Sequence, residues 1–149
     1  MGDVKQFCTF YLDKLLFGVE VANVQEVIRY QEMTRVPLAC PVVTGLINLR
    51  GQIVTALDLR KRLDLGERAT DRLPMNVVVR TGDEAVSLLV DEIGDVLEVE
   101  DATFEAPPET LRGVARELTR GVYKLKDRLL LILDTEKTIS THGNITLSN

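Results

Sequence analysis

The chain repeats itself, and a repeat on this scale commits it to two similar folding units before any other feature is weighed. The segment from Val21 to Ile28 matches that from Val90 to Leu97, 69 positions on (90 minus 21), with apolar residues in the same four places. Pro37 is then answered by Pro107, and Gly45 to Asp58 runs without a gap against Gly121 to Asp134, 76 positions on (121 minus 45). The glycine, a leucine, the last leucine and the aspartate of that third match are identical. Because the offset grows between the second and third matches, the second copy carries an insertion near Glu109 to Thr119 that has room for a short helix.

The repeated unit is mainly β. Runs rich in Val, Ile, Leu and Phe recur between short turn signals, with neither the length nor the period of amphipathic helices. Gln6 to Leu12 and Leu15 to Val21 flank Asp13-Lys14 as a hairpin, and Met75 to Arg80 and Ala85 to Asp91 flank Thr81 to Glu84 in the same way. Gly121 to Leu125 and Arg128 to Leu133 make a third hairpin, and Gln52 to Leu57 is a further strand. Asp64 to Pro74 is polar, without an apolar period, and marks the boundary between halves. Asn23 followed by Glu26 has the spacing of a helix N-cap with its reciprocal carboxylate, which predicts one helical turn over Val24 to Ile28. Two similar small barrels sharing one core follow from the duplication.

Composition excludes several function classes. A length of 149 residues suits one domain with a real core, and 45% apolar and 28% charged residues are ordinary globular values. A net charge of −5 opposes binding to nucleic acid, which needs a clustered basic surface. The one basic run, Arg60-Lys61-Arg62 between Asp58 and Asp64, reads as a solvated helical face. The N-terminus has no apolar signal region, and Gln6 stands where a myristoylation signal needs Ser or Thr. Leu129 to Leu133 falls far short of the roughly 20 residues of a membrane helix, so direct membrane insertion is not expected and the protein reads as cytoplasmic. In that compartment Cys8 and Cys40 read as reduced, buried small hydrophobes.

Catalytic chemistry finds no foothold. The single histidine, His142, lies in a polar tail of Ser, Thr, Gly and Asn, so no nucleophile can be paired with an ordered imidazole. Cys8 and Cys40 stand apart without a ligand motif, which argues against a metal site, and no phosphate-binding glycine loop exists. The acidic series Asp91, Glu92, Asp95, Glu98, Glu100 and Asp101 alternates with Ile93, Val96, Leu97 and Val99, as on the solvent side of a strand. An adaptor without cofactors is the remaining class. Asn48-Leu49-Arg50-Gly51 stands out within it. The string sits at a turn between two apolar runs, where an arginine fork suits directional recognition of a partner and Gly51 suits positive φ.

The order of motifs resembles the CheW-like domain family from about Phe7 to Ile139. The matching strings are Phe17-Gly18-Val19, Val24 to Val27, Val36-Pro37, Gly45 to Val54 and Asp58-Leu59-Arg60. In the second half they are Leu89 to Ile93, Asp95-Val96-Leu97, Ala106-Pro107-Pro108 and Leu131 to Asp134. The resemblance implies one CheW-like domain over residues 1–149, with halves near 13–63 and 75–137. Its fold would be two intertwined five-stranded barrels like SH3 domains, with strands exchanged between barrels and a few short helices. It implies a non-catalytic coupler, a monomer when isolated. In the cell it would join arrays in which chemoreceptor cytoplasmic hairpin tips meet the regulatory domain of the histidine kinase CheA. Position by position, Val24, Glu26, Gly45, Asn48, Leu49, Arg50 and Gly51 match receptor-facing motifs, and Ile93 and Val96 match the kinase-facing second barrel. This sequence departs from many members at Thr55, where proline is common, and at Ser87, where glycine is. The alternative reading is an SH3-like peptide-binding module outside chemotaxis, which wants an aromatic groove in a chain with no Trp and 5% aromatics.

Overall fold

In a computed structural model of the chain, the described residues are 3–37, 40–66 and 72–140. They form ten strands: β1 (Val4–Leu12), β2 (Leu15–Glu20), β3 (Val24–Ile28), β4 (Val43–Leu49), β5 (Gln52–Asp58), β6 (Met75–Thr81), β7 (Glu84–Val90), β8 (Glu92–Glu100), β9 (Thr119–Lys124) and β10 (Leu129–Leu133). Helix α1 (Leu59–Arg62) follows β5, α2 (Gly113–Glu117) fills the insertion in the second copy, and α3 (135–140) follows β10. His142 and part of the polar stretch between the halves lie outside the described residues.

The strands make two five-stranded mixed sheets, with orders β8-β1-β2-β10-β9 and β3-β6-β7-β5-β4. Replacing each strand by its counterpart in the other half, β1 by β6 through β5 by β10, turns one order into the other. Each sheet therefore takes two strands from one half and three from the other. The joins are parallel, β10 on β2 and β5 on β7, inside otherwise antiparallel ladders. Among the described residues no ladder closes either sheet into a continuous barrel. One backbone bridge per sheet, Thr34 to Leu46 and Glu105 to Val122, brings the chain after β3 back to β4 and the chain after β8 back to β9. At those bridges the two chains pass so closely that only glycine fits. A Cβ on Gly45 would stand 2.7 Å from the Thr34 carbonyl oxygen, and one on the equivalent Gly121 would stand 2.5 Å from that of Glu105. The repeated glycine is thus a repeated close approach.

The core has three parts. The largest lies between the sheets and joins Phe10, Phe17 and Leu131 of the first sheet to Leu57, Val79 and Leu88 of the second. A smaller cluster of Phe7, Leu16, Tyr123, Leu130 and Ile132 belongs to the first sheet alone, and Ile47, Leu49, Val54 and Val78 form its counterpart in the second. Successive residues of a strand point to opposite faces, so a strand covered on both must be apolar throughout. That is why Leu129 to Leu133 shows no alternation: Leu130 and Ile132 face one cluster, Leu131 and Leu133 the other.

Two local expectations are corrected. Val24 to Ile28 is strand β3, and the helical turn lies one step earlier, a 3-10 turn over Val21–Asn23. Val24, Val27 and Ile28 are β-branched and pair with Val79, Val77 and Asn76 of β6, and this pairing outweighs the local capping pattern. The basic run is a solvated face only in part: Lys61 is exposed and Arg62 half-buried, but Arg60 is not solvated. Asp58 accepts from the Lys61 backbone N–H and starts α1, whose Arg60 side chain is only 3% exposed.

Candidate functional site

The β4–β5 connection is a two-residue loop, Arg50-Gly51, with φ of 51° and 91°. Positive φ at both central residues is the geometry of a type I′ hairpin, whose twist matches that of its strands. Asn48 supports it by accepting the Gly51 N–H on Oδ1 at 2.8 Å. Asn, Asp and Gly adopt this backbone readily, whereas arginine is an unusual occupant of it. Its side chain, 74% exposed, reaches across to the Glu26 carboxylate on β3 and donates to it. Leu49 points the other way, into the cluster with Ile47, Val54 and Val78, and pins the base of the turn.

The receptor-facing candidates therefore separate by role. Asn48, Arg50 and Gly51 form the exposed tip, and Glu26 joins them from β3. Val24, on the same strand, is half-buried against the shared core. Gly45 and Leu49 are buried. Beside the tip, Ile53 lies opposite Asn48 in the ladder with 61% of its surface exposed, and Val27 is exposed on β3. Sequence reasoning did not single out these two, although apolar residues at exposed positions of short strands are a signal of partner surfaces. The Gln25 amide oxygen accepts from Arg80 Nε at 3.1 Å, tying β3 to β6 beside Glu26. Next to this pair opens a cleft of about 470 Å³ between the sheets, lined by Glu20, Asn23, Arg80, Arg120, Asp134 and Glu136 among others.

The second pair of candidates lies on β8, the edge strand of the first sheet. Ile93 is opposite Phe10 and packs on the shared core, while Val96, opposite Cys8, is 58% exposed. A register shift between Cys8 and Phe10 lies between the two positions. Of the acidic series, Glu92, Asp95, Glu98 and Glu100 are exposed as expected, Glu92 in a surface ion pair with Arg72, but Asp91 and Asp101 are half-buried with partners in the fold. Asp101 accepts from the buried Tyr123 hydroxyl at 3.3 Å, and burial together with that carboxylate pushes the phenol pKa up.

Asp91 is the larger correction. Its Oδ2 accepts from Arg60 Nη1 at 2.8 Å and from the Asp13 backbone N–H at 2.8 Å, while Arg60 also grips both oxygens of Asp13 at 2.7 and 3.1 Å. The hydrogen bond to Asp13 is the main reason the guanidinium pKa is raised. Nothing local in the sequence announces this cluster, because its members lie 47 and 31 positions apart from Arg60.

Neither departure at Thr55 or Ser87 disturbs a ladder. Thr55 lies between Leu46 and Val86, and the buried Ser87 hydroxyl donates to Asn76 Oδ1 at 2.7 Å, whose amide in turn donates to the Arg29 carbonyl. Both cysteines are free and half-buried rather than fully buried, and burial raises the Cys8 thiol pKa. Phe7, Phe10, Phe17 and Tyr123 are buried, Tyr11 and Tyr30 are half-buried, and Phe104 is exposed with its ring against Tyr123. Among those residues no helix is long and apolar enough to cross a membrane, and no three His, Cys, Asp or Glu side chains are grouped to hold a metal.

Comparison with known proteins gives one answer throughout. The model of the CheW-like domain matches residues 6–142. A chemotaxis protein CheW of Bacillus subtilis is 30% identical over 94% of this chain and 90% of its own length, and one of Treponema pallidum is 28% identical over 97% and 87%. The crystal structure of the scaffolding protein TtCheW from Thermoanaerobacter tengcongensis superposes with a TM-score of 0.85 at 25% identity, covering 99% of this chain and 95% of that one.

Proposed function

The chain belongs to the CheW-like domain family, and from that premise we propose how its surfaces divide the work of coupling. It is a non-catalytic coupling and scaffolding protein of chemotaxis. In our reading residues 1–149 act as one domain with halves near 13–63 and 75–137, in the cytoplasm, recruited to membrane-associated receptor arrays. The turn carrying Asn48, Arg50 and Gly51, together with Glu26, Val24 and the supporting Gly45 and Leu49, faces the cytoplasmic hairpin tip of a chemoreceptor. β8, through Ile93 and Val96, faces the regulatory domain of CheA.

The observation that carries this reading is Arg50 itself, an exposed arginine in a left-handed turn that a smaller residue fills with less strain. Strain kept at an exposed turn points to a side chain retained for what it contacts. Reconstitution tests the proposal: a receptor cytoplasmic fragment should raise CheA autophosphorylation only when this chain is present. Equal activation without the chain, or none with it, refutes the coupling role assigned here.

A further inference from the structure

We propose that α1 is a clasp that fixes the angle between the two sheets, with Arg60, Asp13 and Asp91 as its positioning residues. Helix α1 leaves the end of β5, in the second sheet, while Asp13 sits on the β1–β2 turn of the first. Asp91 is the single residue between β7 of one sheet and β8 of the other. Arg60 therefore holds together, through one guanidinium, a turn of the first sheet and the crossover between the two. From the same helix Arg62 reaches α3, donating to the carbonyls of Thr138 at 2.9 Å and Lys137 at 3.0 Å. One turn of helix on the second sheet thus grips the β1–β2 turn of the first and the helix that follows its β10.

The apolar core between the sheets favours contact but not a particular angle, because hydrophobic burial is non-directional. A bidentate arginine–carboxylate pair is directional, and here the guanidinium that makes it is only 3% exposed, although the Asp13 carboxylate is half-exposed and the Asp91 carboxylate largely buried. Losing the fork should leave the sheets packed and free their angle. Asp91 immediately precedes β8, so the clasp also sets where Ile93 and Val96 stand relative to the Arg50 turn. That last consequence rests on the partner surfaces proposed above. The geometry of the clasp does not.

The test is a distance measurement on the isolated chain. Nitroxide labels at Ile53 on the second sheet and Glu98 on the first, in a background with Cys8 and Cys40 changed to Ala, report the sheet-to-sheet distance by pulsed electron resonance. Arg60→Lys keeps a charge but loses the fork, and should broaden or shift a narrow distribution. Asp13→Asn, at a half-exposed carboxylate, should move it in the same direction by less, and it decides the matter if Arg60→Lys does not fold. Distributions unchanged in every folded variant overturn the clasp, whatever happens to the melting temperature. With partners added, Arg60→Lys should reduce the receptor-dependent gain in kinase binding by about fivefold or more. A shifted distance with undiminished gain overturns the coupling role alone, and absence of partner binding by the unmodified chain overturns the surface assignment alone.

Discussion

The guanidinium of Arg50, on the β4–β5 turn, donates to the carboxylate of Glu26 on β3, although the two strands are the outermost members of one sheet. The sheet curls until its edges come within side-chain reach, and the bridge between Thr34, beyond β3, and Leu46 of β4 ties the returning chain there. One exposed ion pair therefore records that curl on the surface proposed to meet the receptor.

Reversing Arg50 should separate recognition from folding. Aspartate is better suited than arginine to a φ of 51°, so Arg50→Asp relieves backbone strain while losing an exposed pair worth at most about 1 kcal/mol. Calorimetry should show a nearly unchanged melting temperature. Titration with a receptor hairpin fragment should show binding weaker by at least about 2 kcal/mol, with CheA binding largely kept. An unfolded variant would make the arginine structural.

Glu26→Lys should also weaken receptor binding, with a small stability loss that comes from the broken pair and not from a helix cap. The double change Glu26→Arg with Arg50→Glu restores the pair in reverse. Stability should return in the double variant while receptor binding stays weak, because the charge presented at the turn tip is still reversed. Recovered binding would assign the recognition to the pair and not to Arg50.

Gly45→Ala and Gly121→Ala should each cost about 1 to 3 kcal/mol, since the added methyl meets a backbone carbonyl that cannot turn aside. Chemical denaturation measures this directly. Losses under about 0.5 kcal/mol at both would mean that the bridges separate freely.

Leu130→Ala should cost about 2 to 4 kcal/mol, and the equivalent Val54→Ala somewhat less, because valine loses fewer buried carbons. Each is fully buried in the cluster private to its own sheet. Unfolding should remain one calorimetric transition, since each sheet draws strands from both halves. A separate transition for residues 1 to 73 would contradict that.

The protein should be monomeric when purified alone and should turn over no ATP. Size-exclusion chromatography with light scattering, and a phosphate-release assay after rigorous removal of co-purified kinase, check both statements.

Much of this was legible in the residues. The matched strings around Gly45 and Gly121 announced two copies, and their aspartates, Asp58 and Asp134, each start a helix, accepting from the N–H of Lys61 and of Lys137. The insertion after Pro108 holds α2. The turn at Arg50-Gly51 was legible because positive φ leaves a chemical trace in glycine. β3 and β8 were harder, since each is an outer strand with a broken alternation caused by a register shift. Local capping chemistry at Asn23 and Glu26 then looked stronger than it is.

By itself, then, the sequence determined the repeat, the β class, the hairpins and the exposed arginine, because these rest on contacts between near neighbours along the chain. Only the tertiary structure decided that Arg60 is buried between Asp13 and Asp91, that Glu26 meets Arg50, and that Tyr123 answers Asp101. Those partners are brought together by strand exchange and by the curl of each sheet. A charged residue whose partner arrives from dozens of positions away carries the same local pattern as one facing water.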